Sequence, residues 1–219
     1  KRTAALSKRF NCTVAKNNSE VVAKSDLVIL ATLPKDITTT AKNLPWRKNQ
    51  CAVSIAAGIR LLAIKDAVQP AKAFRAMPIS AVRLLEGPTA FQPNDERIFK
   101  LFDDLGSAHP LEEEINFEIA SIFGAFYGYT HALIDEASNW AEIHGLDARY
   151  SRVLVSRMLS SAAANVIENN SDRPRKLLDD LLTTGGITEA GLKVLDLTGG
   201  LQKWQQALNS SLNRSRKLE

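Results

Sequence analysis

Hydrophobic and polar positions follow two different periods along this chain. In the first half, short apolar runs alternate with helical stretches. Residues 26–32 (Asp-Leu-Val-Ile-Leu-Ala-Thr) are almost continuously apolar and stop before Pro34. Residues 50–57 form a second such run, ended by Gly58, and residues 72–77 a third, ended by Pro78. Apolar runs without polar alternation predict strands covered on both faces, as parallel sheets require. Helical spacing is predicted at residues 3–10, 19–24, 37–43 and 61–67, with a brief strand at 12–14. Residues 94–105 place Ile98, Leu101, Phe102 and Leu105 on one helical face and close at Gly106. A last short strand is expected at 109–111. Strand alternating with helix is the doubly wound α/β pattern.

From residue 115 onward only the helical period persists. Helices are expected at 117–143, with a break or kink around 124–128, and at 149–168, 173–182, 188–197 and 201–218. Ser171-Asp172 ahead of Pro174 is a helix-start signal. The fold class is therefore α/β followed by all-α, with an α/β domain at 1–112 and a helical domain at 113–219. The second half carries more apolar residues than one small bundle needs inside, which predicts contact between copies of the chain.

Composition narrows the picture. With 45% hydrophobic and 24% charged residues, the 219-residue chain has the balance of a globular protein. A net charge of +4 is spread over Lys1-Arg2, Lys8-Arg9, 173–176 and 214–217, so no basic stripe for nucleic acid is expected. No apolar run is long enough to span a bilayer and no signal-peptide pattern opens the chain, so a cytoplasmic protein with no membrane partner is expected. Cys12 and Cys51 make no disulfide framework, and His109, His131 and His144 lack ligand spacing, so no metal site is expected.

One short segment has the make-up of an anion anchor. In Gly185-Gly186-Ile187-Thr188, two glycines free the backbone to turn its N–H groups inward. The positive end of the following helix favours a carboxylate there. The simpler alternative is that Thr188 only caps that helix. At the other end of the chemistry, the loop after the run at 26–32 should lie at the carboxyl edge of the sheet, where nucleotides bind.

Several strings, taken in order, resemble the pyrroline-5-carboxylate reductase family. Asn18-Ser19-Glu20 precedes Ser25-Asp26-Leu27-Val28-Ile29-Leu30-Ala31. Next come Ser54-Ile55-Ala56-Ala57-Gly58-Ile59 and Arg75-Ala76-Met77-Pro78, the latter followed by Glu86-Gly87. Then follow Gly185-Gly186-Ile187-Thr188, Val194-Leu195-Asp196, Gly199-Gly200, and Arg214-Ser215-Arg216-Lys217-Leu218 at the close. The resemblance implies a partial Rossmann-type NAD(P)-binding domain followed by a helical dimerisation domain. It implies an NADP-dependent oxidoreductase, with NAD as the alternative cofactor, reducing a cyclic imino acid such as pyrroline-5-carboxylate to proline. The partner implied is a second copy of the chain, in a homodimer or higher oligomer.

Carried over residue by residue, Thr188 would sit beside the imine nitrogen as the catalytic group, with Gly185, Gly186 and Ile187 completing the substrate turn. Asn18 would contact the adenosine portion. Ala31, Thr32, Leu33 and Pro34 would border ribose and diphosphate, and Ala56, Ala57 and Gly58 the nicotinamide. Lys1 and Arg2 stand where the family places cations for a 2′-phosphate. The chain begins at Lys1, and the resemblance places that point beyond the glycine-rich phosphate loop. The polypeptide by itself is therefore expected to bind dinucleotide poorly and to be inactive.

Three further departures stand out. The family's small-residue segment becomes Phe123-Gly124-Ala125-Phe126-Tyr127-Gly128-Tyr129, which either reshapes the pocket or packs helices. Ile79 replaces the asparagine after Met-Pro, and Leu33 replaces a lysine. His131, one turn past the aromatic segment, is a surface or packed histidine on one reading and a proton donor on the other. A non-catalytic relative, serving as a dimeric scaffold or ligand sensor, is the alternative that these departures favour.

Overall fold

The computed structural model describes residues 2–217, without the side chain of Arg2. Lys1, Leu218 and the Arg2 side chain, which figure in the sequence reading, lie outside the described residues. The chain divides into two compact units, Lys1–Gly124 with Leu212–Glu219, and Ala125–Ser211.

The first unit holds a five-stranded sheet in the order β1-β2-β3-β4-β5. Strands β1 (Leu27–Leu30), β2 (Cys51–Ser54) and β3 (Lys72–Met77) are parallel neighbours. Strand β4 (Gly87–Gln92) runs antiparallel to β3, and β5 (Gly106–Pro110) runs parallel to β4. Helices α1 (Arg2–Phe10), α2 (Asn18–Lys24), α3 (Ile37–Ala41), α4 (Leu61–Val68), α5 (Glu96–Asp103) and α6 (Glu114–Ser121) accompany it.

The apolar runs produce this arrangement because both faces of the sheet are covered. All four residues of β2 are buried. Ala52 joins Val28, Leu30, Ile37, Ile64 and Val68 in one core. Cys51 and Val53 point the other way, to Phe74, Phe91, Ile98, Phe102 and Ala108. Alternate residues of one strand thus feed opposite cores. Helix α5 is laid down as its spacing predicts, with Ile98 and Phe102 buried and Leu101 and Leu105 packed against them.

Three expectations are corrected. Residues 12–14 are exposed coil, with no strand. Strand β4 was not anticipated: Pro88, Thr89 and Gln92 interrupt its apolar pattern, and only pairing with β3 and β5 makes it a strand. The last strand starts at Gly106, ahead of the expected 109–111.

The second unit contains α7 (Phe123–Ile143) from Ala125 on, α8 (Ala148–Glu168), α9 (Pro174–Asp179), α10 (Ile187–Leu197) and most of α11 (Gly200–Arg216). The expected break in the long helix falls at Ile122, just ahead of the glycines. Asp147 caps α8, its carboxylate accepting from the N–H groups of Arg149 and Tyr150. Among the described residues, no helix is long and apolar enough to cross a membrane, and no group of three or more His, Cys, Asp or Glu could hold a metal ion.

Gly106 is the tightest point of the sheet. Its φ is +148°, and a Cβ there would run into the backbone of Gly87 on the neighbouring strand. Gly106→Ala should therefore cost about 2–3 kcal/mol. Urea unfolding should show a lower midpoint at unchanged m value, and an unchanged midpoint would contradict this packing.

Candidate active site

Two hollows meet at the loop that leaves β2. Ser54 is fully buried at the strand end, and its hydroxyl accepts the Ala56 N–H at 3.3 Å. The Ile55 N–H donates to the Leu30 carbonyl of β1 at 3.1 Å. Gly58 has φ +70°, a left-handed turn that favours glycine. These bonds bring residues 55–60 alongside the segment that follows β1, where Pro34 opens a 3₁₀ turn (Pro34–Asp36).

The first hollow is a groove of about 560 Å³ between the two segments, lined by Leu33, Pro34, Lys35, Thr38, Gly58, Ile59, Arg60 and Ala63. It lies at the carboxyl ends of parallel strands, the nucleotide position of doubly wound sheets. Lys35 and Arg60 give it two cations, suited to a diphosphate.

The second hollow, about 350 Å³, lies on the other side of the same loop. Ala56, Gly58, Ile59 and Arg60 form one wall, Met77 and Arg75 come from β3, and Glu114, Phe117, Glu118 and Ser121 come from α6. Ser215 and Arg216 complete it from the last turn of α11.

Arg75 is 5% exposed and makes the floor. Its Nε and Nη2 donate to Gln92 Oε1 at 3.1 and 3.0 Å, and Nη2 pairs with Glu114 Oε1 at 3.0 Å. The guanidinium stacks over the Phe117 ring at 4.1 Å, and Nη1 donates to the Ile59 carbonyl at 3.4 Å. At the rim, Arg216 forms a two-point pair with Glu118, Nε to Oε1 at 2.5 Å and Nη2 to Oε2 at 3.3 Å. That bond from Arg216 is the main reason the Glu118 carboxyl titrates below its ordinary value of 4.5.

Among the predicted cofactor residues, Leu33, Pro34 and Gly58 line the groove, and Ala56 and Gly58 line the second hollow. Ala31, Thr32 and Ala57 belong to the same two segments. Asn18 stands apart, exposed as the first residue of α2, whose cap is Asn17.

Gly185, Gly186, Ile187 and Thr188 lie in the helical unit, at the start of α10. Gly185 has φ +73°, and a Cβ on Gly186 would meet the Thr183 hydroxyl and carbonyl, so both positions require glycine. Gly186 is the N-cap, and Thr188 is the second helical residue, exposed. The reading of Thr188 as a helix cap is therefore corrected. Ile187 and Thr188 are first-turn residues, whose N–H groups no intrahelical carbonyl can reach. The Gly185 N–H donates to Glu189 at 2.7 Å, and Lys193 pairs with that carboxylate at 3.1 Å. These contacts, the Gly185 bond first, hold the Glu189 carboxyl below its ordinary range.

The aromatic segment packs helices. Phe126 meets Trp204 edge-on at 5.7 Å, and the Tyr129 hydroxyl bonds Ser211 and the Ala207 carbonyl, tying α7 to α11. His131 is exposed, its Nδ1 2.8 Å from the Tyr127 carbonyl and its ring against that tyrosine. Sequence reasoning missed Glu114, Glu118 and Arg216 as site residues. Arg75 and Arg216 stood in quoted strings, but nothing local ties them to a cavity.

Comparison with known proteins agrees with this arrangement. The model for pyrroline-5-carboxylate reductase dimerisation matches residues 112–218, and that for NADP oxidoreductase coenzyme F420-dependent matches residues 1–58. The chain is 26% identical over 219 residues to a pyrroline-5-carboxylate reductase of Glycine max, covering 95% of this chain and 79% of the relative. It is 24% identical over 203 residues to pyrroline-5-carboxylate reductase 2 of Bacillus subtilis, covering 89% and 73%. The Streptococcus pyogenes 1-pyrroline-5-carboxylate reductase has the same fold, with a TM-score of 0.85 at 22% identity over 99% of this chain and 85% of that one. Plasmodium falciparum pyrroline carboxylate reductase, solved with NADP bound, has a TM-score of 0.84 at 20% identity over 93% and 81%.

The Arg216–Glu118 pair has a definite pH dependence. A carboxylate with a lowered folded pKa contributes stability above its unfolded value and loses it as pH falls through the folded one. A carboxyl-detected NMR titration should give Glu118 a midpoint below 4.5, and Arg216→Gln should raise it. Equal midpoints in the two proteins would break the assignment.

Proposed function

The chain belongs to the pyrroline-5-carboxylate reductase family, and from that premise we propose that it is an NADP-dependent reductase of a cyclic imino acid, taking pyrroline-5-carboxylate to proline or acting on a close analogue. The observation that carries this reading is the pair of hollows sharing the 55–60 loop, one with cations for a dinucleotide and one beside it for a small anion. Leu33, Pro34, Lys35, Gly58 and Arg60 would hold the cofactor, which supplies a hydride when bound. NAD is the alternative to NADP.

The chain's own residues then have three tasks. The Ala56–Gly58 backbone orients the nicotinamide end against the second hollow. The turn Gly185, Gly186, Ile187 and Thr188 offers first-turn N–H groups to the substrate carboxylate. The Thr188 hydroxyl, exposed and capping nothing, delivers or relays the proton that the ring nitrogen takes up. The α7–α11 packing of Phe126 and Tyr129 gives the aromatic segment a structural task, so its presence does not by itself argue for a non-catalytic scaffold.

The helical unit is the natural surface for a second copy. Ile143, Met158, Ile167 and Leu197 are each more than two-thirds exposed, as a bundle with an unpartnered apolar face would be. We infer a homodimer formed through this unit.

Two measurements test the reading. NADPH oxidation by the whole protein should depend on added pyrroline-5-carboxylate, and Thr188→Val should lower kcat by about a hundredfold, with Thr188→Ser restoring most of it. No oxidation with any cyclic imine would end the reductase reading. In sedimentation, Met158→Asp should shift the protein from dimer to monomer; a dimer of unchanged strength would move the interface elsewhere.

A further inference from the structure

His131 has no task in the reaction just described, yet it borders a hollow of about 310 Å³ in the helical unit. Along α7 that hollow is lined by His131, Ile134, Asp135, Ser138, Asn139 and Glu142. These residues recur every three or four positions, so they share one face of the helix. Arg152 of α8 forms the remaining wall.

The polar groups of this face are mostly acceptors that lack donors. Ser138 is 4% exposed, and its hydroxyl is buried with no hydrogen-bond partner among the described residues. A buried hydroxyl left unmet calls for an explanation, and a bound ion is one. Among the described residues, the Asp135 carboxylate and the Asn139 amide have no side-chain partner either. His131 Nδ1 lies 2.8 Å from the Tyr127 carbonyl, which only accepts. That nitrogen therefore carries the proton, and Nε2 of the neutral ring presents a lone pair. Glu142 is answered by Arg152, Oε1 to Nη1 at 3.6 Å. Two carboxylates against one guanidinium leave the lining with one net negative charge, on Asp135.

A cation with several N–H donors fits this inventory. A metal ion does not, since no group of three or more His, Cys, Asp or Glu among the described residues could hold one. The three donors of a primary ammonium match the acceptors of Asp135, Ser138 and Asn139. Ile134, partly buried, offers an apolar surface to the attached carbon chain.

We propose that this face of α7 is a binding site for a small aliphatic primary ammonium ion, held by Asp135, Ser138 and Asn139. The site is built from α7 and α8 alone, so it stands independently of the reductase reading.

Calorimetric titration of the whole protein tests the assignment. The probe is n-butylammonium chloride, and the control is tetramethylammonium chloride, which has the charge but no N–H. One n-butylammonium should bind per chain, with tetramethylammonium about tenfold weaker or more. Asp135→Asn should weaken n-butylammonium about tenfold or more. Ser138→Ala should weaken it about threefold and leave the melting temperature of the free protein no lower, because the hydroxyl removed meets nothing in the fold. Absence of binding, equal affinity for the two cations, or variants that bind as the wild type does would each overturn the proposal. Sedimentation tests the rival occupant: a dimer weakened by Asp135→Asn, in a protein that ignores n-butylammonium, would give this face to the second copy instead. If Asp135→Asn fails to fold, Ser138→Ala decides by the same comparison of cations.

Discussion

A guanidinium cannot be buried unless its donors are met and its charge is answered, and the Arg75 side chain imposes that condition on three separate parts of the α/β unit. Gln92 on β4 accepts two of its bonds, Glu114 at the start of α6 answers its charge, and the Ile59 carbonyl takes a third donor. The Phe117 ring covers its face. The Gln92 amide in turn donates to the Glu112 carbonyl at 2.6 Å, so the chain leaving β5 is tied to the same point. One residue of β3 therefore sets where the antiparallel strand, the loop after β2 and the first helix beyond the sheet come together. The second hollow is the space left above that junction.

The junction explains why both hollows share one loop. Its near end is held by the Ser54 hydroxyl and the Leu30 carbonyl, and its far end by Arg75 through Ile59. Gly58 makes the turn between those anchors. A segment fixed at both ends keeps Gly58, Ile59 and Arg60 in one place, and these three residues line both hollows. The helical unit has a feature of its own, a glycine-shaped helix start at which Gly186, and not Thr188, is the cap. There Glu189 shows how readily a carboxylate is drawn to that position.

The departures from the family pattern lose some of their weight once packing is taken into account. Phe126 and Tyr129 occupy themselves with Trp204, Ala207 and Ser211 across α7 and α11. His131 holds to the carbonyl one turn before it, in the manner of a surface histidine. Ile79 precedes a short 3₁₀ turn at the end of β3, and the structure assigns it no polar task.

Strand runs at 26–32, 50–57 and 72–77 were legible because a largely apolar run is a property of the local sequence alone, most fully in β2, where every residue is buried. The loops at 31–34 and 56–58 followed from them, since a strand's end is also where its loop begins. The glycine turn was legible because positive φ and close approach to Thr183 demand glycine whatever the surroundings. Strand β4 was not, because Pro88, Thr89 and Gln92 become strand residues only through neighbours on both sides. Nor could local pattern reveal that Arg216 meets Glu118 across 98 residues, or that Arg75 binds Glu114 and Gln92. Periodicity and backbone chemistry act between near neighbours, so the sequence alone determined the elements and the positions needing glycine. Ion pairs join residues that only folding brings within reach, and so the tertiary structure alone decided which charges surround the cavity.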